Sequence, residues 1–217
     1  MLSKKKKYLQ IALNNTLEDA QRIISQLPTN DRIIIEAGTP LLKRYGAEAI
    51  TQIKNWWEQS DAYIVADYKA MDRGTTEVEI AAQAGANAIT VLGQAPIETI
   101  NTLINACQQN QLDTIVDMMN VDQPYKVLRQ LKKLPQIVML HRGVDETEQG
   151  NKRFPIHQIN KVKGAFNVLI AIGGGDTLRE VQSAVFNGAD IVMVWKEFYE
   201  VQNSTKQLAT EFLQKIK

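Results

Sequence analysis

Cysteine is almost missing from this chain. Cys107 stands alone among 217 residues, which leaves no second thiol for a disulfide and no cysteine cluster for a metal. It reads as a small packing residue in the helical stretch Ile100 to Gln109. Net charge is nearly absent as well: 25 basic and 24 acidic side chains leave a formal +1. Nothing general therefore draws the chain to nucleic acid or an anionic membrane, and any anion site has to be local. Long apolar runs are lacking too. No segment approaches the roughly 18 apolar residues of a membrane span, and no apolar stretch of about 7 follows the lysines Lys4 to Lys7, so a cytoplasmic location is expected. The lysines themselves read as a solvated terminus ahead of the first strand. Ser/Pro-rich linkers and low-complexity tracts are missing, and the chain suits one domain over residues 1–217.

What is present is alternation. Short β-branched runs alternate with longer segments of helical period, the pattern of βαβ units around a parallel sheet. The strands are predicted at Tyr8 to Leu13, Arg32 to Glu36, Ala62 to Asp67, Asn87 to Leu92, Asp113 to Asp117, Gln136 to Leu140, Asn167 to Ile172 and Ala189 to Val194. They recur roughly every 26 residues. Helices are predicted at Thr16 to Gln26, Leu41 to Trp57, Thr76 to Ala84 and Thr177 to Phe186, with apolar residues three and four apart. Ala84-Gly85-Ala86-Asn87 and Asn187-Gly188-Ala189-Asp190 repeat one motif, a helix stopped by glycine with a strand directly behind it. Gly143 to Pro155 is the one longer irregular βα loop, a candidate lid. An open doubly wound sheet also uses alternating units. Eight short, similar units with polar residues gathered at strand ends favour a closed (β/α)8 TIM barrel instead.

The chemistry-bearing residues sit at those ends. Asp67 and Lys69 are two apart, so both side chains are expected on one face, and Asp72 follows in the loop. The set supplies a cation flanked by carboxylates, with a carboxylate left for a divalent metal, or else a surface ion-pair cluster. Glu36 closes strand 2 beside strand 3, where it and Asp67 can share one Mg²⁺ held by oxygen ligands and water. Asp117 ends strand 5, and His141 and Arg142 end strand 6. His141 is placed for proton transfer, whereas His157, on a presumed helix after Pro155, is structural or solvent-facing. Gly173, Gly174 and Gly175 follow strand 7 and either offer backbone N–H groups to a phosphate or form a plain turn.

Taken in order, Glu36-Ala37-Gly38-Thr39-Pro40-Leu41, Ala66-Asp67-Tyr68-Lys69-Ala70-Met71-Asp72-Arg73-Gly74, Thr90-Val91-Leu92-Gly93, Val116-Asp117-Met118, His141-Arg142-Gly143-Val144-Asp145 and the Gly173 to Gly175 turn carry a resemblance. The chain resembles the 3-hexulose-6-phosphate synthase and 3-keto-L-gulonate-6-phosphate decarboxylase group of the orotidine-monophosphate-decarboxylase superfamily, from Leu9 to strand 8. The resemblance implies a homodimer acting on a sugar phosphate. Glu36 and Asp67 would bind Mg²⁺, Lys69 and the metal would stabilise an enediolate, Asp72 would reach into the partner's site, and His141 would transfer protons. Asn14, Asp117, Arg142, the three glycines and Lys196 would face the substrate. Asp117 and Val144 match the aldolase branch, which joins formaldehyde to D-ribulose 5-phosphate. The decarboxylase branch carries glutamate and arginine there. That decarboxylase activity, or a diverged barrel that binds a sugar phosphate without turnover, is the alternative; orotidine-monophosphate decarboxylase ranks third. Three departures bear on the ligand. Asn14 replaces an aspartate, and Trp195-Lys196 replaces glycine and then usually arginine or a small residue after strand 8. Ile172 replaces a small or hydroxylated residue before the glycines, which is expected to add bulk to the phosphate pocket.

Overall fold

The computed structural model describes residues 2–58, 62–149, 154–175, 177–200 and 204–217. Its strands are β1 (Tyr8–Leu13), β2 (Ile33–Ala37), β3 (Ile64–Ala70), β4 (Ala88–Leu92), β5 (Asp113–Asp117), β6 (Ile137–His141), β7 (Leu169–Gly173) and β8 (Ile191–Val194). They form one closed barrel in chain order, each parallel to its neighbours, with β8 returning to β1. Around it run α1 (Leu17–Gln26), α2 (Thr39–Tyr45), α3 (Glu48–Trp56), α4 (Gly74–Ala84), α5 (Ile97–Gln109), α6 (Pro124–Leu128), α7 (Val144–Glu148), α8 (Ile159–Ala165), α9 (Leu178–Phe186), α10 (Lys196–Tyr199) and α11 (Thr205–Lys215). The eight-unit barrel is as expected. No helix among the described residues is long and apolar enough to cross a membrane.

The pleat explains the two cores. Alternate strand residues point to opposite faces. Leu9, Ile11, Ile35, Val116, Ile170 and Val192 join the helices in an outer cluster. Ala12, Ile34, Val65, Ile115, Met139 and Ala171 fill the barrel interior as a separate cluster. Both faces of a parallel sheet are thereby dry, which is why its strands read as unbroken apolar runs. The helices follow from their own signals. Thr16 caps α1 by accepting from the Asp19 N–H at 3.2 Å, and Ala20, Ile23 and Ile24 turn inward. Gly74 opens α4 where an added Cβ would come within 3.0 Å of the Leu103 Cβ on α5, so these two helices touch closely.

Several expectations change. The helix predicted over Leu41 to Trp57 is two, α2 and α3, because Gly46 takes a positive φ of 65° and ends the first. The apolar period runs on across that break and hides it. His157 lies in a 3₁₀ turn, Pro155–Gln158, instead of an α-helix. The candidate lid Gly143 to Pro155 contains α7, but its residues 150–153 lie outside the described set. The lysine run is exposed at Lys4 to Lys6 yet tied down. Lys4 donates to Asn167, Lys6 pairs with Asp31, and the half-buried Lys7 meets Asp190 at 2.9 Å. Lys163 reaches the same carboxylate at 2.7 Å, and the Tyr8 N–H donates to the Asp190 carbonyl at 2.9 Å, clipping β1 beside β8. Cys107 is fully buried, a packing residue as expected.

Candidate active site

Five of the expected side chains meet at the C-terminal mouth of the barrel. Asp67 is nearly buried, and both its oxygens are occupied. Oδ2 accepts from the Thr39 hydroxyl at 2.7 Å and Oδ1 from the Thr90 hydroxyl at 2.8 Å. The Lys69 ammonium bonds both oxygens, at 3.0 and 2.9 Å. Their proximity does not come from regular strand alternation. The β3–β4 register breaks between Ala66 and Ala70, and Lys69 has φ 49°. That left-handed residue costs strain, and the Thr90 hydroxyl holds it by accepting the Lys69 N–H at 2.8 Å. Thr90 thus fixes the backbone of one partner and the carboxylate of the other.

Lys69 also reaches Asp117 Oδ2 at 3.1 Å, and the same oxygen meets His141 Nδ1 at 2.9 Å. Asp117 Oδ1 accepts the Met119 N–H at 2.9 Å, and the residue is fully buried. Burial alone would raise its carboxyl; His141, Lys69 and the Met119 N–H outweigh burial and hold it below the usual carboxylate range. Burial pulls Lys69 the other way, toward neutrality, but Asp67, Asp117 and Glu36 overcome it and keep the ammonium charged. For His141, burial is likewise outweighed by Asp117, so the imidazolium is favoured above its ordinary value of 6.5. Lys69 is therefore a source of positive charge, and His141 a holder of a proton.

Glu36, 3% exposed, lies on the inward face of β2 and accepts from the Gln10 amide. Burial first, and then the charge of Asp67, push its carboxyl up to about 8. Two carboxylates so placed repel each other and call for a cation.

These groups open onto a cleft of about 450 Å³, lined by Glu36, Asp67, Lys69, His141 and Arg142 and, at its rim, by Asn14, Gly174 and Lys196. Asp117 sits behind Lys69 and His141 and does not line the cleft. Gly173 and Gly175 do not line it either. A Cβ at Gly173 would fall 2.6 Å from the Met193 methyl and 3.1 Å from the His141 ring, and one at Gly175 would meet Phe154 at 2.9 Å. Both glycines make room for neighbours. Arg142 turns onto the Gly174 carbonyl and Glu180 Oε1, the latter at 3.2 Å, with its guanidinium over Phe154. Asp72 is exposed at the turn before α4 and outside this cleft.

The expectation for Ile172 is overturned. His141 pairs with Gly173 across β6 and β7, and with both on the inner face Ile172 must point outward, where it is buried in the helix-facing cluster. Trp195 packs against the inner cluster and lines the cleft. Its ring meets Tyr199 edge-on at 6.1 Å, and Lys196 Nζ lies 5.6 Å from the indole centroid. The Tyr199 hydroxyl accepts the Asn14 N–H at 2.7 Å, while the Asn14 side chain fills the space a Cβ on Gly38 would need. Thr39 and Thr90 stand in the sequence motifs without a role there, and Gln10 and Tyr199 have none either. Gln10 and Thr90 left one signal, a polar residue at an inward position of an otherwise apolar strand.

Comparison with known proteins supplies the context. The pattern described as the Orotidine 5'-phosphate decarboxylase / HUMPS family matches residues 7–208. The "Bifunctional enzyme Fae/Hps" of Methanosarcina barkeri is 38% identical over 210 residues, which are 96% of this chain and 52% of that protein. This chain thus spans about half the length of the curated relatives it matches. The crystal structure of 3-hexulose-6-phosphate synthase from Salmonella typhimurium superposes with a TM-score of 0.85 at 30% identity, covering 96% of this chain and 98% of that one. That of KGPDC from Streptococcus mutans shares the fold, with a TM-score of 0.81 at 20% identity over 97% of each chain.

Proposed function

The chain belongs to the orotidine 5'-phosphate decarboxylase / HUMPS family, and on that premise we propose that it is an aldehyde-lyase condensing formaldehyde with D-ribulose 5-phosphate, reversibly, to D-arabino-hex-3-ulose 6-phosphate. One observation carries the reading. A charged Lys69 is suspended between Asp67 and Asp117, with His141 on the same Asp117 oxygen, at the floor of a cleft. Neutral His141 takes the proton from carbon 1 of the pentulose phosphate and becomes the imidazolium it later discharges; the negative charge left on the neighbouring oxygens is stabilised by a fixed ammonium without reorganisation. The resulting carbanion-like carbon attacks the formaldehyde carbonyl, and the new alkoxide takes its proton from the His141 side of the cleft. Asp117 stabilises the imidazolium throughout.

Glu36 and Asp67 fit a divalent cation, and magnesium is the ion we assign. No three His, Cys, Asp or Glu side chains gather as a cage among the described residues, and magnesium characteristically takes one or two carboxylates and keeps its waters. The repulsion that raises Glu36 is what such an ion would relieve. When bound it supplies positive charge beside the substrate oxygens. Asn14, Arg142, Gly174 and Lys196, which line the cleft, are read as substrate contacts. The working unit is read as a cytoplasmic homodimer with Asp72 entering the partner's cleft; exposed Met71 and Ile80, at 45% and 41%, lie on the same turn and helix.

The test is consumption of ribulose 5-phosphate and formaldehyde by the purified protein with Mg²⁺, repeated with chelator. Metal-dependent consumption of both reactants is expected, and Lys69→Ala should abolish it while the protein stays folded. Unchanged activity in that variant would remove the mechanism. Trp195 in the cleft favours a second reading, a barrel that binds a different anion without turnover. Binding with no wild-type consumption would select it.

A further inference from the structure

Thr90 stands where the barrel departs from regular pairing. Ala66 on β3 lies opposite Ile89 on β4, and Ala70 opposite Val91, so Thr90 alone faces the stretch Asp67, Tyr68 and Lys69. Its side chain points inward, as does that of Ala88 two residues before it, and it is 0% exposed. The hydroxyl serves both ends of the irregular stretch. It accepts the Lys69 N–H at 2.8 Å and donates its single proton to Asp67 Oδ1 at 2.8 Å. Thr90 does not line the cleft that Asp67 and Lys69 share, so it acts on the reacting groups without meeting substrate.

Each bond removes a different freedom. Lys69 has φ 49°, a left-handed conformation that a residue with a Cβ keeps only where its surroundings over-determine it. The accepting hydroxyl holds that backbone, and with it the root of the side chain whose ammonium reaches Asp67 at 2.9 Å and Asp117 at 3.1 Å. The donated bond fixes the rotation of the Asp67 carboxylate, whose other oxygen is held by the Thr39 hydroxyl at 2.7 Å. A branched Cβ narrows the threonine χ1, so one rotamer sets both partners. We propose that Thr90 is a positioning residue of the reaction: by tying the left-handed Lys69 backbone to Asp67 Oδ1, it places the ammonium where charge develops in the transition state. The proposal rests on the aldolase reading and names what holds its central cation in place. Displacing a reacting group by about 1 Å can cost about 100-fold in rate, whereas a residue that never meets substrate should leave ground-state binding alone.

The experiment compares wild type with Thr90→Val, Thr90→Ser and, as control, Thr114→Val. Thr114 is a fully buried threonine on the adjacent β5, and it points outward because its neighbour Ile115 faces the interior. Valine keeps the shape of Thr90 and removes both hydrogen bonds, whereas serine keeps both. Kinetics with ribulose 5-phosphate and formaldehyde at saturating Mg²⁺ are paired with NMR hydrogen exchange at the Lys69 amide of the folded protein. Thr90→Val should lower kcat about 10-fold or more with KM for either reactant little changed, the split expected of an interaction made only in the transition state. Its Lys69 amide should exchange faster, and Thr90→Ser should restore both kcat and protection. Should Thr90→Val fail to fold, Thr90→Ala takes its place under the same criteria. A smaller loss of kcat, a loss confined to KM, an equal loss in Thr114→Val, an unmoved Lys69 amide or no recovery in Thr90→Ser overturns the assignment. If wild type shows no turnover, the aldolase reading fails on its own, and the amide decides. Faster exchange in Thr90→Val that serine reverses sustains the positioning role; exchange indifferent to Thr90 ends it.

Discussion

Replacing Asp117 by Asn probes the hub of the site without changing its shape. In the wild type Oδ2 accepts from both Lys69 and His141, and Oδ1 from the Met119 N–H. An amide has one acceptor oxygen. Whichever way it turns, its NH₂ faces a donor, either the Met119 N–H or the Lys69 and His141 pair. An unsatisfied buried donor costs about 1–3 kcal/mol, and a lost hydrogen bond to a charged group about 1.5–3. Lys69 keeps Asp67, so the full 3–5 kcal/mol of an orphaned buried charge does not apply. The expected loss at pH 7 is therefore about 2–4 kcal/mol, measured by urea unfolding. The pH dependence carries a sign. The Asp117 carboxyl is held below its ordinary 3.8 in the folded chain, so its contribution is present above that value and is lost as pH falls through the lower folded value. The stability gap between wild type and variant should be full at pH 7 and shrink below about pH 4. His141 should respond in the same variant. Its value, raised by Asp117 against burial, should drop below 6.5 in an NMR titration. A loss under about 1 kcal/mol, a gap indifferent to acid, or an unmoved His141 would refute this account of the hub.

Trp195→Gly should tighten inorganic phosphate binding, read by titration calorimetry, because the indole occupies cleft space; no gain would place the obstruction elsewhere. Gly174→Ala should cost about 3 kcal/mol or more in urea unfolding, since φ is 83° and the new Cβ would lie 2.1 Å from the Arg142 carbonyl oxygen. Tyr63→Phe removes a 2.6 Å hydrogen bond to Asp113 deep in the barrel and should cost about 1–3 kcal/mol at neutral pH. Burial and then Asp113 hold the Tyr63 hydroxyl well above its ordinary 10.0, so its contribution is present below that pH and lost above it. The two proteins should accordingly converge in stability as pH rises past 10.

Much of the barrel was legible because a parallel sheet buried on both faces writes itself as short apolar runs. β1 and β5 begin and end where the sequence predicts them. β3 runs three residues past its predicted end because the bulge at Lys69 lets a charged segment rejoin β4 at Ala70. Ile172 shows what family comparison misses when parity is ignored: counting by twos from His141 and its partner Gly173 would have turned it outward. The Asp67, Lys69 and His141 cluster could be read from strand ends alone. Its supports could not, since Thr90 lies 23 residues from Asp67 and Tyr199 lies 185 from Asn14, and no local pattern ties such partners together.

The clip at Asp190 has a kinetic corollary. Lys7 and Asp190 are 183 residues apart, and the ring of strands cannot shut until β8 has been made and brought back to β1. Until then the growing sheet has two open edges, β1 and the newest strand, each a template for pairing with another chain. Closing so long a loop is the slow, entropically costly step. Hydrogen exchange during refolding should therefore show the Tyr8 amide, which donates to the Asp190 carbonyl, among the last to become protected. The pull of Lys7 and Lys163 on one carboxylate then acts as a latch on the finished ring.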